Sequence, residues 1–320
     1  MGLALNGGKV KWSVMIPTYK PSDHLTETLA SVRVAIDRAG GDFQVELVDD
    51  ASPTGSPEGF ARNAGMDVSC FVRPENGGLA SCWNECIARA RGDLIHILHQ
   101  DDIVLPNFYR EMEVLEAKVP EAGMLFCRTM VRRPDGEAPD TLEQDHAGVI
   151  PDWLEKISAG QRLLCPSVVV RSETYKKVGG FDSRLKFVID WEMWVRIAAS
   201  GAVAYHPTAL VEYRVHDQSE TARLKSSGCI TDDLVVAYRV LSATLQAYGN
   251  GRYSRGVLNF LVWCSWDAAS SAERNKHFAA ARREAWSALR NWWSSMRPWQ
   301  TLQLFKLLVR TSWKLEAKNG

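Results

Sequence analysis

Along the first two thirds of the chain, apolar residues follow two alternating rhythms. Short runs rich in β-branched residues at Trp12–Ile16, Phe43–Val48, Val68–Val72, Leu94–Leu98, Gly123–Cys127 and Val168–Val170 predict strands. Between them, Leu25–Ala39, Leu79–Ala90, Phe108–Lys118 and Trp191–Ala199 predict helices. This alternation is the pattern of an α/β domain on a mostly parallel sheet. Ala202–Tyr205 and Ala209–Val215 predict two strands near the edge, and the Pro-, Gly- and acid-rich stretch Arg132 to Asp152 predicts a long surface loop. Beyond about Thr231 the pattern is helical, through Asp232–Gln246, Ser254–Ala269, His277–Trp293 and Pro298–Ala317. The expected organisation is an α/β domain over residues 1–224 and a helical extension over 225–320.

Charge sharpens that division. The 320 residues carry 38 basic and 38 acidic side chains, a formal net charge of zero, which excludes a chain built mainly to coat nucleic acid. Residues 1–223 hold 24 Lys and Arg against 32 Asp and Glu, a net of −8, whereas residues 224–320 hold 14 against 6, a net of +8. The basic segment also has seven of the twelve tryptophans. Seven cysteines with no CxxC pair read as free thiols in a reducing compartment. Met1 to Trp12 has no secretory pattern, Gly2 has no myristoylation pattern, and no run approaches the roughly 20 apolar residues of a membrane span. The expectation is a cytoplasmic protein, soluble or peripheral at the inner face of the cell membrane.

Acidic residues fall at the predicted strand ends: Asp49-Asp50 after Phe43–Val48, and Asp101-Asp102 after Leu94–Leu98. Ligands of open α/β sheets bind beyond the carboxyl ends of the strands. Two acidic pairs at one rim repel, and Mg²⁺ or Mn²⁺ between carboxylates and a phosphate would relieve the repulsion. Helix capping or solvation of each pair is the alternative. The first strand is followed by Pro17-Thr18-Tyr19-Lys20 with no GxGxxG, and no GxxxxGK[ST] occurs, which argues against a dinucleotide fold and a P-loop NTPase.

Seven motifs appear in one order: Val14-Met15-Ile16-Pro17-Thr18-Tyr19, Val48-Asp49-Asp50-Ala51-Ser52, Asn76-Gly77-Gly78-Leu79, His99-Gln100-Asp101-Asp102, Gly179-Gly180-Phe181-Asp182, Asp190-Trp191-Glu192-Met193-Trp194 and Tyr213-Arg214-Val215-His216. Together they resemble the family 2 glycosyltransferases of the GT-A fold, over about Lys11 to Glu220. The resemblance implies a Rossmann-like nucleotide-sugar-binding domain with a mixed, mostly parallel sheet. It also implies donor contacts at Pro17, Thr18, Tyr19, Asp49, Asp50, Gly77, Asn84, His99 and Asp102, with Asp50 on the base. Asp101 matches the metal-ligating acid of the family, with Asp102 beside it and His216 at the position of a third ligand, for Mn²⁺ or Mg²⁺. His99 stands where many members have Asp, and Trp83 where many have Arg. Asp190 matches the general base, and Ile189 replaces the Glu that usually precedes it. Trp191 and Glu192 are candidate acceptor contacts, although on a helix Glu192 points to a different side from Asp190.

The implied reaction is inverting transfer of a sugar from a nucleotide diphosphate, UDP by default, to a hydroxyl of a saccharide or lipid-linked saccharide in cell-surface polysaccharide assembly. An inactive GT-A-like binding or scaffold protein and a sugar nucleotidyltransferase are the alternatives. Retention of Asp50, Asp101, Asp102 and Asp190 argues against the first. The lack of a glycine-rich basic loop after the first strand argues against the second. In the tail, Lys306, Arg310, Lys314 and Lys318 form a basic stripe beside an apolar face of Leu302, Phe305, Val309 and Trp313, widened by Leu304 and Leu308. Such a helix suits a membrane surface, a homo-oligomer contact through residues 296–318, or packing on the catalytic domain.

Overall fold

The computed structural model describes residues 10–53, 55–216 and 219–319, with side chains to Lys314, so Lys318 of the expected basic stripe lies outside the described side chains. The chain divides into two compact units. The first comprises Met1–Trp153, Arg162–Phe181 and Ser200–Val215; the second comprises Leu154–Gln161, Asp182–Ala199 and His216–Gly320.

The first unit contains one sheet of ten strands: β1 (Trp12–Thr18), β2 (Phe43–Asp49), β3 (Ser69–Val72), β4 (Leu94–Ile97), β5 (Ile103–Val104), β6 (Ala122–Arg133), β7 (Gly136–Pro139), β8 (Gly148–Val149), β9 (Val168–Arg171) and β10 (Ala202–Arg214). Their order is β3-β2-β1-β4-β9-β6-β10-β5, with β7 on β6 and β8 on β10. The run β3-β2-β1-β4 is parallel, as is β6 with β10, and β9 is reversed between β4 and β6. Every residue of β1 is buried, as a central parallel strand covered on both faces requires. The helices of this part of the chain are α1 (His24–Ala39), α2 (Glu58–Asn63), α3 (Leu79–Arg89), α4 (Phe108–Lys118), α5 (Trp153–Ser158) and α6 (Ser172–Val178). Leu25, Leu29 and Val32 of α1 and Phe108, Met112 and Leu115 of α4 share one core with Val14, Ile16 and Leu94. Burying each such side chain fully contributes about 1.5–3 kcal/mol.

Two expectations change. Arg132 to Asp152 is not a plain loop, because β7 folds back on β6 and β8 pairs with β10. Ala202–Tyr205 and Ala209–Val215 are one 13-residue strand, because register shifts between His206 and Ala209 absorb Pro207 and Thr208 without ending the pairing. The result is a mixed, largely parallel sheet flanked by helices and followed by a helical extension, as expected for a GT-A fold.

His96 on β4 supplies a stability test. It is fully buried, its Nε2–H donating to the Pro166 carbonyl at 2.9 Å and its Nδ1 lying 3.3 Å from the Tyr109 hydroxyl. Burial pushes the imidazole down from 6.5 to about 4. The unfolded chain therefore binds more protons between these values, so this contribution is complete above about pH 6.5 and is lost as pH falls towards about 4. The loss is on the order of 3 kcal/mol. Urea unfolding across this window is expected to show the decline, and His96→Gln to flatten it. An unchanged acid slope in the variant would refute the assignment.

The second unit contains most of α7 (Ile189–Ser200), then α8 (Glu220–Ser227), α9 (Ile230–Ala247), α10 (Ser254–Arg274), α11 (Phe278–Trp292) and α12 (Pro298–Asn319). Small buried residues, Ala268, Ala269 and Ala272 on α10 and Ala281, Ala285 and Ala288 on α11, let these helices approach closely. Buried Glu284 of α11 accepts the Ile230 and Thr231 amides at 2.7 and 2.8 Å, satisfying orphan donors at the α9 N-terminus. Among the described residues, no helix is long and apolar enough to cross a membrane.

Candidate functional site

Because β1, β2 and β4 run parallel, the segments following them emerge at the same sheet rim. The backbone turns sharply there: Lys20 after β1 and Ala51 after β2 have φ of 49° and 55°, uncommon for residues with a Cβ. Side-chain hydrogen bonds hold these turns together. Thr18 Oγ1 donates to Asp49 Oδ1 at 2.9 Å, and Asp49 also accepts the Ser52 amide and hydroxyl at 2.7 and 2.6 Å. Lys20 N donates to Ser52 Oγ at 2.8 Å. Tyr19 and Gln100 exchange two bonds of 3.1 Å, which fasten the turn after β1 to the His99–Asp102 segment. Thr18 and Asp49, both buried, thus brace the turns after β1 and β2, and the Tyr19 ring is exposed.

Asp50 organises a second cluster. It pairs with Arg73 and accepts the Gly77 and Gly78 amides at 3.1 and 2.9 Å, while Asn76 Nδ2 donates to the Asp50 carbonyl at 3.0 Å. The guanidinium also donates to Ser81 Oγ at 2.7 Å. Gly78, with φ of 79°, is the position in this turn that needs glycine. Asn84, expected at the donor, clamps the backbone of Phe181: Nδ2 donates to its carbonyl at 2.9 Å and Oδ1 accepts its amide at 2.7 Å.

His99, Asp101 and Asp102 converge, with one ligand atom from each lying within 4.8 Å of the others. Asp102 is buried; its Oδ1 accepts the Arg214 amide at 3.1 Å, and its Oδ2 makes no hydrogen bond and faces His99 Nδ1 at 3.5 Å. Burial pushes Asp102 up to about 6, against the stabilising neighbourhood of His99. Burial opposes protonation of His99, but Cys165 and Asp102 outweigh it and raise the imidazole well above its ordinary value. Two carboxylates, one with a buried oxygen lacking a donor, fit a hard or borderline divalent cation such as Mn²⁺, and the imidazole joins them by giving up its proton as the ion binds. The ring of Trp83 stacks on His99 at 5.1 Å. Two of the three positions where the sequence departs from the family pattern therefore touch, and the indole fixes the imidazole plane.

The remaining candidates belong to the second unit. Asp190, in the first turn of α7, accepts from Gln161 Nε2 at 2.8 Å through Oδ2 and from the Trp191 amide at 2.7 Å through Oδ1. Trp191 is buried and donates to the Ile157 carbonyl at 2.7 Å. Glu192 is buried in a two-bond pair with Arg196 at 2.9 and 2.8 Å. Neither side chain is open to an acceptor, because the inner faces of a packed helix carry both. His216 is half-buried and follows β10, and its carbonyl accepts the Ser219 amide at 3.2 Å. The sequence reading missed Arg73, Gln161 and the place of His99 among the convergent ligand groups.

Similarity to known proteins agrees with this geometry. Residues 13–174 match the model of Glycosyl transferase family 2. An uncharacterized glycosyltransferase of Rickettsia typhi is 26% identical over 218 residues, 65% of this chain and 65% of that protein. The O-antigen biosynthesis protein RfbC of Myxococcus xanthus is 26% identical over 243 residues, 74% of this chain and 18% of that one. The chain spans just under two thirds, 65%, of the length of this R. typhi protein and of its R. prowazekii counterpart. Among solved structures, S. aureus TarS 1-349 in complex with UDP-GlcNAc superposes with TM-score 0.63 at 16% identity, covering 87% of this chain and 82% of that one. The mannosyltransferase PcManGT of Pyrobaculum calidifontis, in complex with GDP-Man and Mn²⁺, gives 0.54 at 16% identity, covering 90% and 89%. At such identities the structures establish a shared fold. With a family model matched over half its length and the Asp49-Asp50 and Asp101-Asp102 pairs following strands at one sheet rim, the chain belongs to glycosyl transferase family 2.

Proposed function

We propose that the protein is a metal-dependent, inverting glycosyltransferase that moves a sugar from a nucleotide-diphosphate sugar, UDP by default, to a hydroxyl of a saccharide or lipid-linked saccharide acceptor. The observation that carries this reading is the convergence of His99, Asp101 and Asp102 beside the Asp50–Arg73 cluster at one rim. The TarS complex with UDP-GlcNAc and the PcManGT complex with GDP-Man and Mn²⁺ support a nucleotide sugar and a divalent ion.

In this reading the turns after β1, β2 and β3 seat the nucleotide, with the Asp50 carboxylate on the base and the Tyr19 ring beside it. A divalent ion held by His99, Asp101 and Asp102 would supply counter-charge to the diphosphate leaving group. Trp83 keeps His99 oriented for that role by stacking. Asp190 takes the proton of the attacking hydroxyl at a carboxylate oxygen, and Gln161 fixes its rotamer. One base and one displacement give inversion at the anomeric carbon. The seven free cysteines support a reducing, cytoplasmic setting, and the acceptor in this reading is a surface-polysaccharide precursor at the inner face of the cell membrane.

A thermal-shift screen of UDP-, dTDP- and GDP-sugars, each with and without Mn²⁺ or Mg²⁺, tests the reading. A stabilisation that requires nucleotide sugar and metal together is expected, since a ligand bound only to the folded state raises the transition temperature. No shift with any pair would remove the proposal.

A further inference from the structure

The last two helices leave a second apolar stripe in water. On α12, Leu304, Leu307 and Thr311 are buried, so Leu304 does not widen the outer face as expected, whereas Leu302, Phe305, Val309 and Trp313 on the other side are 54%, 43%, 57% and 74% exposed. Their spacing of three, four and four residues places them on one helix face. On α11, Trp286 is 62% exposed, and Trp293, one residue past its end, is 56% exposed. Trp293 meets Phe305 edge-on at 5.6 Å, which joins the two stripes into one surface.

The charges on these helices are one-sided. From Phe278 to Asn319 the chain carries eight Lys and Arg against two acids, Glu284 and Glu316. Glu284 is buried against the α9 N-terminus, so it does not offset the cations outside. Lys306, Arg310 and Lys314 recur at four-residue spacing beside the apolar stripe, and Phe305, Lys306, Val309 and Arg310 together line a shallow depression. A second copy of this face would set Lys306 and Lys314 against like charges, since among the described residues the acid at its edge, Glu273 of α10, is already paired with Arg310 at 2.9 Å, which disfavours a symmetric dimer. Flat, amphipathic indole rings flanked by cations instead match the boundary between acyl chains and anionic headgroups.

We propose that the outer face of α11 and α12, centred on Trp286, Trp293, Phe305 and Trp313, docks the protein on an anionic lipid bilayer. The aromatic and aliphatic tips enter the headgroup boundary, and the lysines and arginines meet the phosphates. Vesicle binding is read without donor or acceptor, so it succeeds or fails independently of the transfer reading.

Flotation of the full chain with phosphatidylglycerol-rich vesicles and with neutral phosphatidylcholine vesicles tests the assignment, with parallel sedimentation velocity. The wild type is expected to float with the anionic vesicles at least about tenfold more than with the neutral ones, and less so at high salt. The triple variant Trp286→Ser, Trp293→Ser and Trp313→Ser is expected to lose most of that binding, with circular dichroism and thermal midpoint checking its fold. Lys306→Glu with Lys314→Glu is expected to lose the anionic preference while leaving the aromatic tips in place. Equal flotation with both lipids, no flotation, or wild-type flotation by both variants would overturn the proposal. So would a dimer that the triple variant dissolves, in the absence of vesicle binding, since the face would then serve a second copy.

Discussion

Replacing Asp190 with asparagine is expected to lower sugar transfer about 10²–10⁴-fold while leaving donor affinity unchanged. The substitution keeps the size and one acceptor oxygen, so the bond from the Trp191 amide survives, but asparagine cannot take a proton from an attacking hydroxyl. Gln161 donates to Asp190 Oδ2 at 2.8 Å, and in the variant the new amide turns or a donor goes unmatched, at a cost of about 1 kcal/mol to stability. A base that acts only on the attacking hydroxyl is used in the transition state, so the fall belongs in kcat, not in the donor KM. Steady-state kinetics with calorimetric donor titration separates the two, and wild-type turnover in the variant would end the assignment of Asp190 as base.

Replacing Asp101 with alanine is expected to abolish the part of donor affinity that depends on Mn²⁺. Charge stabilisation by a bound ion is worth several kcal/mol, so removing one of its anchors costs roughly 10²-fold or more in donor Kd. Asp101 is the informative position because Asp102 also accepts the Arg214 amide, and an alanine there would orphan a buried donor and blur binding with stability. In calorimetry the variant should bind the nucleotide sugar equally with and without Mn²⁺, at the level of the wild type in chelator. A wild type whose donor affinity ignores the metal would sink the metal reading at once.

Much of the first unit was legible because its periodicities are strong and local. The pattern places a helix over Phe108–Lys118, and the structure has α4 at the same bounds. The mainly apolar run Trp12–Ile16 that predicted the first strand is β1, buried throughout. Parallel register alone could have exposed Arg73: Asp49 pairs with Val72, so the residues following those strand ends are neighbours. Gln161 left no comparable signal, since it reaches Asp190 from 29 positions earlier in the chain, across a non-local contact that no local pattern encodes. The strand break at His206-Pro207-Thr208 misled for a related reason: a bulge is tolerated by its partner strand, which the local sequence does not contain.

The sequence by itself determined the α/β core, the acids at the strand ends and the opposed charges of the two segments, because each follows from side-chain chemistry at short spacing. Only the tertiary structure decided which side chains those acids meet. Asp50 faces Arg73 and two glycine amides, His99 joins Asp101 and Asp102, and Asn84 is drawn into a backbone clamp. It also decided which face of α12 is covered. Helical spacing presents Leu304, Leu307 and Thr311 as one stripe and Leu302, Phe305, Val309 and Trp313 as another, and their own hydrophobicity does not rank them. The neighbouring α10 and α11 bury the first and leave the second in water, because the partner helices, not the sequence of α12, supply the surface that burial requires.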